Sequence, residues 1–276
     1  MKKFNKEAYG YVKDMFIGHN MVKRTILSFI SIIIMGLGIS LFSVSGFGVD
    51  PFTSMNMNIA STAGISFGTY QLIVNSIILL FVIIFAHRGL VGVGTVFNMA
   101  LNGYICQFFV GIITPAVESN YTYAIRIPLL IAGIITLCFA CSLFFTTNIG
   151  VGAYDSLAFL ISRNTKIEFK WARVMTDVTV VLIGLIVSGG LTALLKGEFG
   201  GVHNVGIGTL ITAFFMGPII NFFNKNVSAK ILNVDYEKLS HKVSFFMYKG
   251  IVAEYRSAQE NLFSGSTNLF SGIMGK

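Results

Sequence analysis

The sequence predicts an all-helical membrane protein of about six transmembrane helices, arranged as two inverted three-helix repeats. Each repeat is predicted to contain a broken, short helix after its first span. Three observations lead to this fold class: the composition, the number of long apolar stretches, and a motif that occurs twice with the copies 102 residues apart. A repeated motif is informative because it indicates that the fold is built from two related units.

The composition is typical of an integral membrane protein. Hydrophobic residues make up 54% of the 276 residues and charged residues only 12%, whereas a soluble domain carries roughly 25% charged residues. The formal net charge is +8, but the basic residues lie in predicted loops and termini, so nucleic acid is not expected as a partner. The three cysteines lie in apolar runs and are predicted to act as small hydrophobic residues: Cys106, Cys138 and Cys141.

Six stretches are apolar and long enough to cross a hydrocarbon core of about 30 Å, which requires roughly 20 residues of helix. They are residues 25–45, 68–86, 92–114, 126–147, 170–188 and 206–223. No cleavable signal peptide is predicted, because the N-terminal segment is polar and basic and the first apolar stretch is longer than a signal-peptide core. We therefore expect the first span to remain as an anchor.

The repeated motif lies at the end of the first span and again at the end of the fourth. Residues 40–55 read SLFSVSGFGVDPFTSM, and residues 142–157 read SLFFTTNIGVGAYDSL, with identity at six positions. At an offset of 114, GVGTVFNMALNG (residues 92–103) in the third span matches GIGTLITAFFMG (residues 206–217) in the sixth. Each half of the chain is thus predicted to consist of a span, a break with a short helix, and two further spans.

Both breaks carry signals for the start of a short helix with an acid at its N-terminus. In the first, Asp50 can cap free backbone N–H groups, and Pro51 is favoured at the first helical position. In the second, Gly152 takes the capping position, and Asp155 falls three residues later, where a carboxylate also stabilises the first turn. Capping alone is a sufficient explanation for both acids, so a binding role remains an alternative at this stage.

The number of spans in each half predicts that the halves have opposite orientations, since three is odd. The basic residues give an independent test, because Lys and Arg concentrate on the cytoplasmic side. With both termini in the cytoplasm, 18 of the 20 Lys and Arg residues lie inside, and only Arg126 and Lys196 lie outside. The predicted organisation is a basic N-terminal arm (1–24), the first repeat (25–114), an extracytoplasmic loop (115–125), the second repeat (126–223) and a cytoplasmic, interfacial tail (224–276).

Charge inside the membrane is the strongest indication of a site, because a charged side chain at the bilayer centre costs about 2.5–3.5 kcal/mol. Asp177 and Arg173 lie one turn apart in the fifth span, at positions that match Asn75 and Gln71 of the second. One interpretation is an ion pair that neutralises itself within the bundle. The other is a polar cavity between the halves, with Asp177 as a proton carrier. The candidate solute-binding residues are Asp50, Thr53, Ser54, Gln71, Asn75, Asp155, Ser156, Arg173 and Asp177.

The remaining features favour structural roles. Asn98 and Asn102 in the third span are expected to form hydrogen bonds between helices, and the repeated glycines are expected to allow close helix packing. The four histidines are scattered, so neither a metal site nor a cofactor is predicted. No nucleophile and base occur at a useful spacing, so the sequence does not indicate an enzyme.

The paired motifs GVDPFTSM and GVGAYDSL, each followed two spans later by G[VI]GT, resemble those of the YczE/YyaS/YitT group of bacterial integral membrane proteins. The resemblance covers residues 25–223. It implies a small multispanning protein of the bacterial plasma membrane, of a kind described as a transporter or permease without an assigned substrate. YitT-like members carry a soluble C-terminal domain, whereas the tail here is short.

Two hypotheses about function follow. The first is a secondary transporter or permease for a small polar or charged solute, with its site between the two halves and movement of one half against the other. The second is a non-transporting scaffold or accessory protein that acts through its cytoplasmic tail and inner basic surface. The expected partners are membrane lipids and a small solute or ion, and the small number of spans favours a homodimer.

Overall fold

The computed structural model describes residues 21–85, 91–165, 167, 169–187 and 204–232. Within these residues the regular structure is helical. The helices are α1 (Met21–Ser45), α2 (Pro51–Ala63), α3 (Phe67–Phe85), α4 (Val93–Glu118), α5 (Tyr123–Thr147), α6 (Ala153–Asn164), α7 (Phe169–Val187), α8 (Ile207–Phe223) and α9 (Ala229–Leu232), with a π-helical turn (Asn224–Ser228) between the last two.

Helices occupy all six stretches that the sequence predicts as spans. Five of them are long and apolar enough to cross a membrane: α1, α3, α4, α5 and the segment Ile207–Leu232. The remaining one, α7, has 19 residues and carries three charged side chains, Lys170, Arg173 and Asp177. The two short helices after the breaks, α2 and α6, are also present, with 13 and 12 residues.

Exposed apolar side chains form a stripe along the outer surface of α3. On α3, Ile73, Ile77, Leu80 and Ile84 recur every three to four residues and are 46%, 63%, 61% and 65% exposed. A helix in water would bury such a stripe against the rest of the protein, because contiguous exposed apolar surface is unfavourable there. The stripe is stable when hydrocarbon covers it.

The centre of the fold is an antiparallel pair formed by α1 and α5. A Cβ atom at Gly38 would lie 2.6 Å from the backbone N of Leu137, and one at Gly133 would lie 2.6 Å from the backbone N of Phe42. The two backbones are therefore nearly in contact, which small residues permit within membranes. Phe42 and its counterpart in the second motif, Phe144, are fully buried in the resulting core.

Two arginines fix the ends of this pair, and we call them the arginine clamps. Arg24 donates from Nε to the Thr147 carbonyl at 2.6 Å and from Nη2 to the Asn148 carbonyl at 2.5 Å. Arg126 donates from Nε to the Ser45 carbonyl at 2.8 Å and from Nη2 to the Gly46 carbonyl at 3.1 Å. Each guanidinium thus binds the free carbonyls at the C-terminal end of the other helix, where a cation also interacts favourably with the helix dipole.

The breaks between long and short helices depend on glycine. Gly48 and Gly150 occupy corresponding positions and have φ angles of +92° and +136°. Residues other than glycine rarely adopt such angles. The predicted starts of the short helices are confirmed. Asp50 accepts a hydrogen bond from the Thr53 backbone N at 3.2 Å, Pro51 is the first residue of α2, and Gly152 is the N-cap of α6.

Each short helix packs against a long helix from the other half of the chain. The helix α2 packs on α7, where Gly184 admits Met55, and α6 packs on α3, where Leu160 contacts Val82. The helix α4 packs on α1 and α3. This exchange of short helices brings residues of both breaks into one region of the molecule.

Two of the helices extend beyond their predicted ends. The helix α4 continues to Glu118, so the connection to α5 comprises only residues 119–122. The chain remains helical from Ile207 to Leu232, nine residues beyond the predicted end of the sixth span at residue 223. The π-helical turn explains this continuation, because Asn224 and Ser228 form hydrogen bonds to Ser142 of α5 that keep the segment on the bundle. The predicted interfacial helix of the tail lies outside the described residues.

Candidate functional site

The first turns of the two short helices meet face to face. The rings of Phe52 and Tyr154 are stacked, with centroids 4.2 Å apart and planes inclined by 8°. Each aromatic residue is the second residue of its helix, and each is buried. A stack of this kind stabilises by about 0.5–1.5 kcal/mol beyond the burial of area. The N-terminal ends of α2 and α6, each with partial positive charge, therefore lie next to each other.

The extended segments that lead to these turns start far apart. The two arginine clamps involve α1 at Arg24, which binds the end of α5, and at Ser45, which is bound by Arg126. These two residues are 21 positions apart. At a rise of 1.5 Å per residue this corresponds to about 32 Å, close to the thickness of a hydrocarbon core. The breaks thus begin at opposite ends of the α1–α5 pair, and the stacked rings lie where the two chains meet between those ends.

Each break is bound by the first turn of a long helix from the other half. Gly208 donates from its backbone N to the Phe47 carbonyl at 2.9 Å, and Gly94 donates to the Ile149 carbonyl at 3.0 Å. The donors are N–H groups in the first turns of α8 and α4, which have no partner within their own helices. The G[VI]GT motif therefore supplies the hydrogen bonds that the unwound chain lacks.

The same contacts explain most of the repeated glycines. A Cβ atom at Gly92 would overlap the Ile149 carbonyl oxygen, and a Cβ atom at Gly206 would overlap the Phe47 carbonyl oxygen. The expectation of close packing is thus confirmed at the first glycine of each motif. Gly217 differs, because a Cβ atom there would meet nothing within 4 Å.

Beside the aromatic stack lies a cluster of charged groups. Arg173 forms ion pairs with Asp155 and with Asp177, the second with Nε and Oδ1 3.3 Å apart. The Tyr154 hydroxyl donates to the same Asp177 Oδ1 at 2.6 Å, and the Arg173 guanidinium lies 4.7 Å from the centre of the Tyr154 ring. The pairing of Arg173 with Asp177 was one of the two interpretations of the sequence. The sequence did not predict that Asp155 would pair with Arg173 as well.

Asp50 approaches this cluster from the first break. It is the N-cap of the helix whose Phe52 stacks on Tyr154, and its carboxylate lies within electrostatic range of Asp177 and Arg173. One oxygen caps Thr53, as described above, while Oδ2 is buried and has no hydrogen-bond partner among the described residues. On the next turn of the same face, the Ser54 hydroxyl is likewise buried and has no partner there.

The other predicted site residues take different positions. Gln71 and Asn75 of α3 are only 3% and 4% exposed, and Gln71 Oε1 lies against Gly103 of α4, without a hydrogen-bond partner among the described residues. Ser156 donates to the Gly152 carbonyl within its own helix at 2.9 Å. The structure thus brings Asp50, Asp155, Arg173 and Asp177 together, and it places Gln71 toward α4.

The predicted hydrogen bonds from the third span are found only in part. Asn98 donates from Nδ2 to Met35 Sδ of α1 at 3.8 Å, so this side chain does link two helices. The Oδ1 atom of Asn102 is buried without a partner in the described part of the chain. The three cysteines are buried free thiols, and no three His, Cys, Asp or Glu residues among those described are arranged so that they could hold a metal ion.

Two sets of residues in this architecture were not anticipated as partners. The arginine clamps lie 102 residues apart, so an alignment of the two motifs extended toward the N-terminus would have paired them. Asn204 was also missed. Its side chain donates to Asn58 Oδ1 at 2.9 Å, and its carbonyl accepts from Val49 N at 3.1 Å, which joins the start of α8 to the first break. No signal in the sequence indicated this contact.

The apolar surface, the long helices and the interrupted segments together define a multi-pass α-helical membrane protein. Comparison with known sequences is consistent with this class and identifies the family. The family of unknown function DUF6198 matches residues 22–225, and the chain belongs to that family.

The chain is similar to two bacterial proteins over most of its length. It is 27% identical over 204 residues to the "Uncharacterized membrane protein YczE" of Bacillus subtilis (strain 168), covering 73% of this chain and 86% of that protein. It is 26% identical over 205 residues to an "Uncharacterized protein" of Haemophilus influenzae (strain ATCC 51907 / DSM 11121 / KW20 / Rd), covering 74% and 84%. The expected resemblance to the YczE-type family is thus confirmed. No solved structure matches the chain significantly.

Proposed function

We propose that the protein is a secondary transporter of the bacterial plasma membrane, built from two inverted halves, which moves a small polar or charged solute. The observation that carries the proposal is the meeting of two interrupted helices beside buried charge. Non-helical backbone at membrane depth persists only where protein or a water-filled cavity covers it, and transporters place their sites at such interruptions.

Contacts related by the repeat support the inverted arrangement. Arg24 binds the Thr147 carbonyl, and Arg126 binds the Ser45 carbonyl, so that adding 102 to one contact gives the other with its partners exchanged. Phe52 and Tyr154, the stacked pair, are themselves 102 residues apart. An exchange of this kind is the property of a two-fold axis. For halves with three spans each, that axis lies in the membrane plane, and α7 is the fifth span.

The charged cluster supplies the recognition chemistry in this proposal. Arg173 has five fixed donors that suit a carboxylate or phosphate, and its two aspartates suit an ammonium group. The side chain of Arg173 is 28% exposed and that of Asp155 is 22% exposed, so a solute can reach the pair without a large rearrangement. Both termini lie in the cytoplasm in this arrangement, as the distribution of basic residues favours.

The experiment is reconstitution of the full-length protein in liposomes, with currents recorded as panels of amino acids, amines, sugars and organic acids are applied. We expect one solute class to produce a current that Arg173→Gln abolishes. The matched control is Lys225→Gln, which removes a positive charge from an exposed position outside the cluster. The scaffold hypothesis would replace this one if two results were obtained. No solute class would produce a current from correctly folded protein, and deletion of residues 233–276 alone would have the same effect on cells as loss of the whole protein.

A further inference from the structure

Where the first turns of α2 and α6 meet, carboxylates outnumber the positive charges that balance them. Three carboxylates, Asp50, Asp155 and Asp177, lie near one guanidinium, that of Arg173. The N-terminal ends of α2 and α6 add about half a positive charge each. With these included, the region retains about one negative charge, which is a large imbalance for a membrane interior.

Asp50 is the carboxylate whose negative charge is not balanced by an ion pair among the described residues. Arg173 is engaged by Asp155 and Asp177, and Asp177 Oδ1 also accepts the Tyr154 hydroxyl. Asp50 has no ion pair with a described residue, and its Oδ2 atom is buried with no partner among them. A buried ionised carboxylate oxygen without a hydrogen bond is strongly unfavourable, so this atom requires an occupant that supplies positive charge.

The groups that face Asp50 from the neighbouring helices do not supply that charge. Cys106 of α4 and Cys141 of α5 are buried free thiols, which carry no charge. From α7, Asp177 repels Asp50, and Arg173 attracts it from within its two ion pairs. The start of α8 packs against Gly48, two residues before Asp50, with Gly206 and Thr209, which are uncharged.

We propose that Asp50 is the coupling site of the transporter, and that the cation it binds is a proton. The assignment rests on the proposed function. In each cycle a proton from one aqueous side adds to Asp50 Oδ2, which makes the carboxyl group neutral, and leaves as a proton to the other side. The Ser54 hydroxyl, one turn along α2, is likewise buried and has no partner among the described residues.

A proton suits this position better than a metal ion does. A metal cation requires a shell of several oxygen ligands, and in the part of the chain that the structure describes no three His, Cys, Asp or Glu residues are arranged so that they could hold a metal ion together. The proton requires one oxygen. Asp177, the proton carrier in one interpretation of the sequence, is a poorer choice because Tyr154 and Arg173 both contact its Oδ1 atom.

The test is infrared difference spectroscopy of the full-length protein in lipid as the pH is lowered. A buried carboxyl group that gains a proton produces a carbonyl stretching band above the amide region. We expect such a band in the wild-type protein and in Asp177→Asn, and its loss in Asp50→Asn. Asparagine is as good an N-cap as aspartate, so Asp50→Asn removes the acid while keeping the start of α2. Asp50→Glu should keep a band at a shifted frequency.

Three results would overturn the assignment. They are a band that survives in Asp50→Asn, a band that disappears in Asp177→Asn instead, and a spectral change that depends on Na⁺ rather than on pH. The band is observed without any solute, so it tests the proton site even when no transport is detected. Conversely, if a solute is transported but its uptake by Asp50→Asn depends on the pH gradient as in the wild type, the proton assignment fails and the transporter proposal stands.

Discussion

The contacts of the arginine clamps allow us to predict how much the free energy of unfolding falls when one clamp is removed. Arg126→Gln removes the two charge-assisted hydrogen bonds to the Ser45 and Gly46 carbonyls. It also removes the cation that lies 4.6 Å from the ring centre of Phe47 and 4.8 Å from that of Tyr121. We therefore expect the free energy of unfolding to fall, because the end of α1 loses its carbonyl partners and a favourable interaction with the helix dipole.

The magnitude follows from how far each contact is shielded from water. The part-buried bond from Nε contributes about 1.5 kcal/mol. The bond from Nη2 to Gly46 is exposed and contributes about 0.5 kcal/mol. The aromatic contacts add about 0.5 kcal/mol at a partly exposed site. Arg126→Gln should thus lower the free energy of unfolding by about 2–3 kcal/mol, which for a chain of this size corresponds to about 5–10 °C in Tm.

The protein carries its own reporter of unfolding. Its three cysteines are buried as free thiols, so a maleimide dye that fluoresces on reaction labels them only when the helices separate. The melting temperature of purified protein in detergent can then be read from the dye signal. Arg126→Lys should show an intermediate loss, because an ammonium group keeps the charge but cannot bind both carbonyls in a fixed fork.

Two variants decide whether the reasoning is correct. Arg24→Gln removes the equivalent pair of bonds at the other end of the helix pair and should produce a loss of similar size. Lys225→Gln removes a charge from an exposed position and should change Tm by only about 1–2 °C. If Arg126→Gln melts within the range of Lys225→Gln, the clamp does not stabilise the α1–α5 pair, and the account of these contacts is refuted.

Three further predictions concern the breaks and the cluster. Gly92→Ala should lower the free energy of unfolding by about 1–3 kcal/mol, since its methyl group would overlap a backbone carbonyl, whereas Gly217→Ala should leave the dye-detected Tm equal or higher because the space there is open. Tyr154→Phe keeps the aromatic stack but leaves Asp177 without its 2.6 Å donor, so we expect a loss of about 1–3 kcal/mol in chemical unfolding. Arg173→Gln should lower the free energy of unfolding by about 2–4 kcal/mol. Adding Asp177→Asn should restore part of that loss, because the second change removes an unpaired carboxylate. Equal losses in the single and double variants would contradict the ion pair.

Much of the helical fold could be predicted because its signals are local. Apolar stretches of sufficient length indicate helices, and the Asp50–Pro51 start of α2 and the Gly152 start of α6 are encoded by a few adjacent residues. The repeat also directed attention to the correct segments, because both breaks contribute to the charged cluster. These features depend on hydrogen bonds within a few residues, which spacing in the sequence reveals.

The pairing between distant elements could not be predicted in the same way. Asp155 was expected to act through the first turn of its own helix, yet Arg173 of α7 binds it. The exchange of α2 and α6 between the halves is set by packing against α7 and α3, which periodicity does not encode. The sixth span was predicted to end at residue 223 because the segment 224–276 is too polar to span a membrane. The hydrogen bonds of Asn224 and Ser228 to Ser142 nevertheless hold the helical chain on α5 beyond that residue.

The most direct test of the central claim compares the far ends of the two short helices. Ala63 and Thr165 occupy corresponding positions, 102 residues apart, and both are exposed. In intact cells, a membrane-impermeant maleimide should label Ala63→Cys from outside and should label Thr165→Cys only after the membrane is permeabilised. Labelling of both positions from the same side would show that the two halves share one orientation, and the inverted-repeat transporter would have to be abandoned.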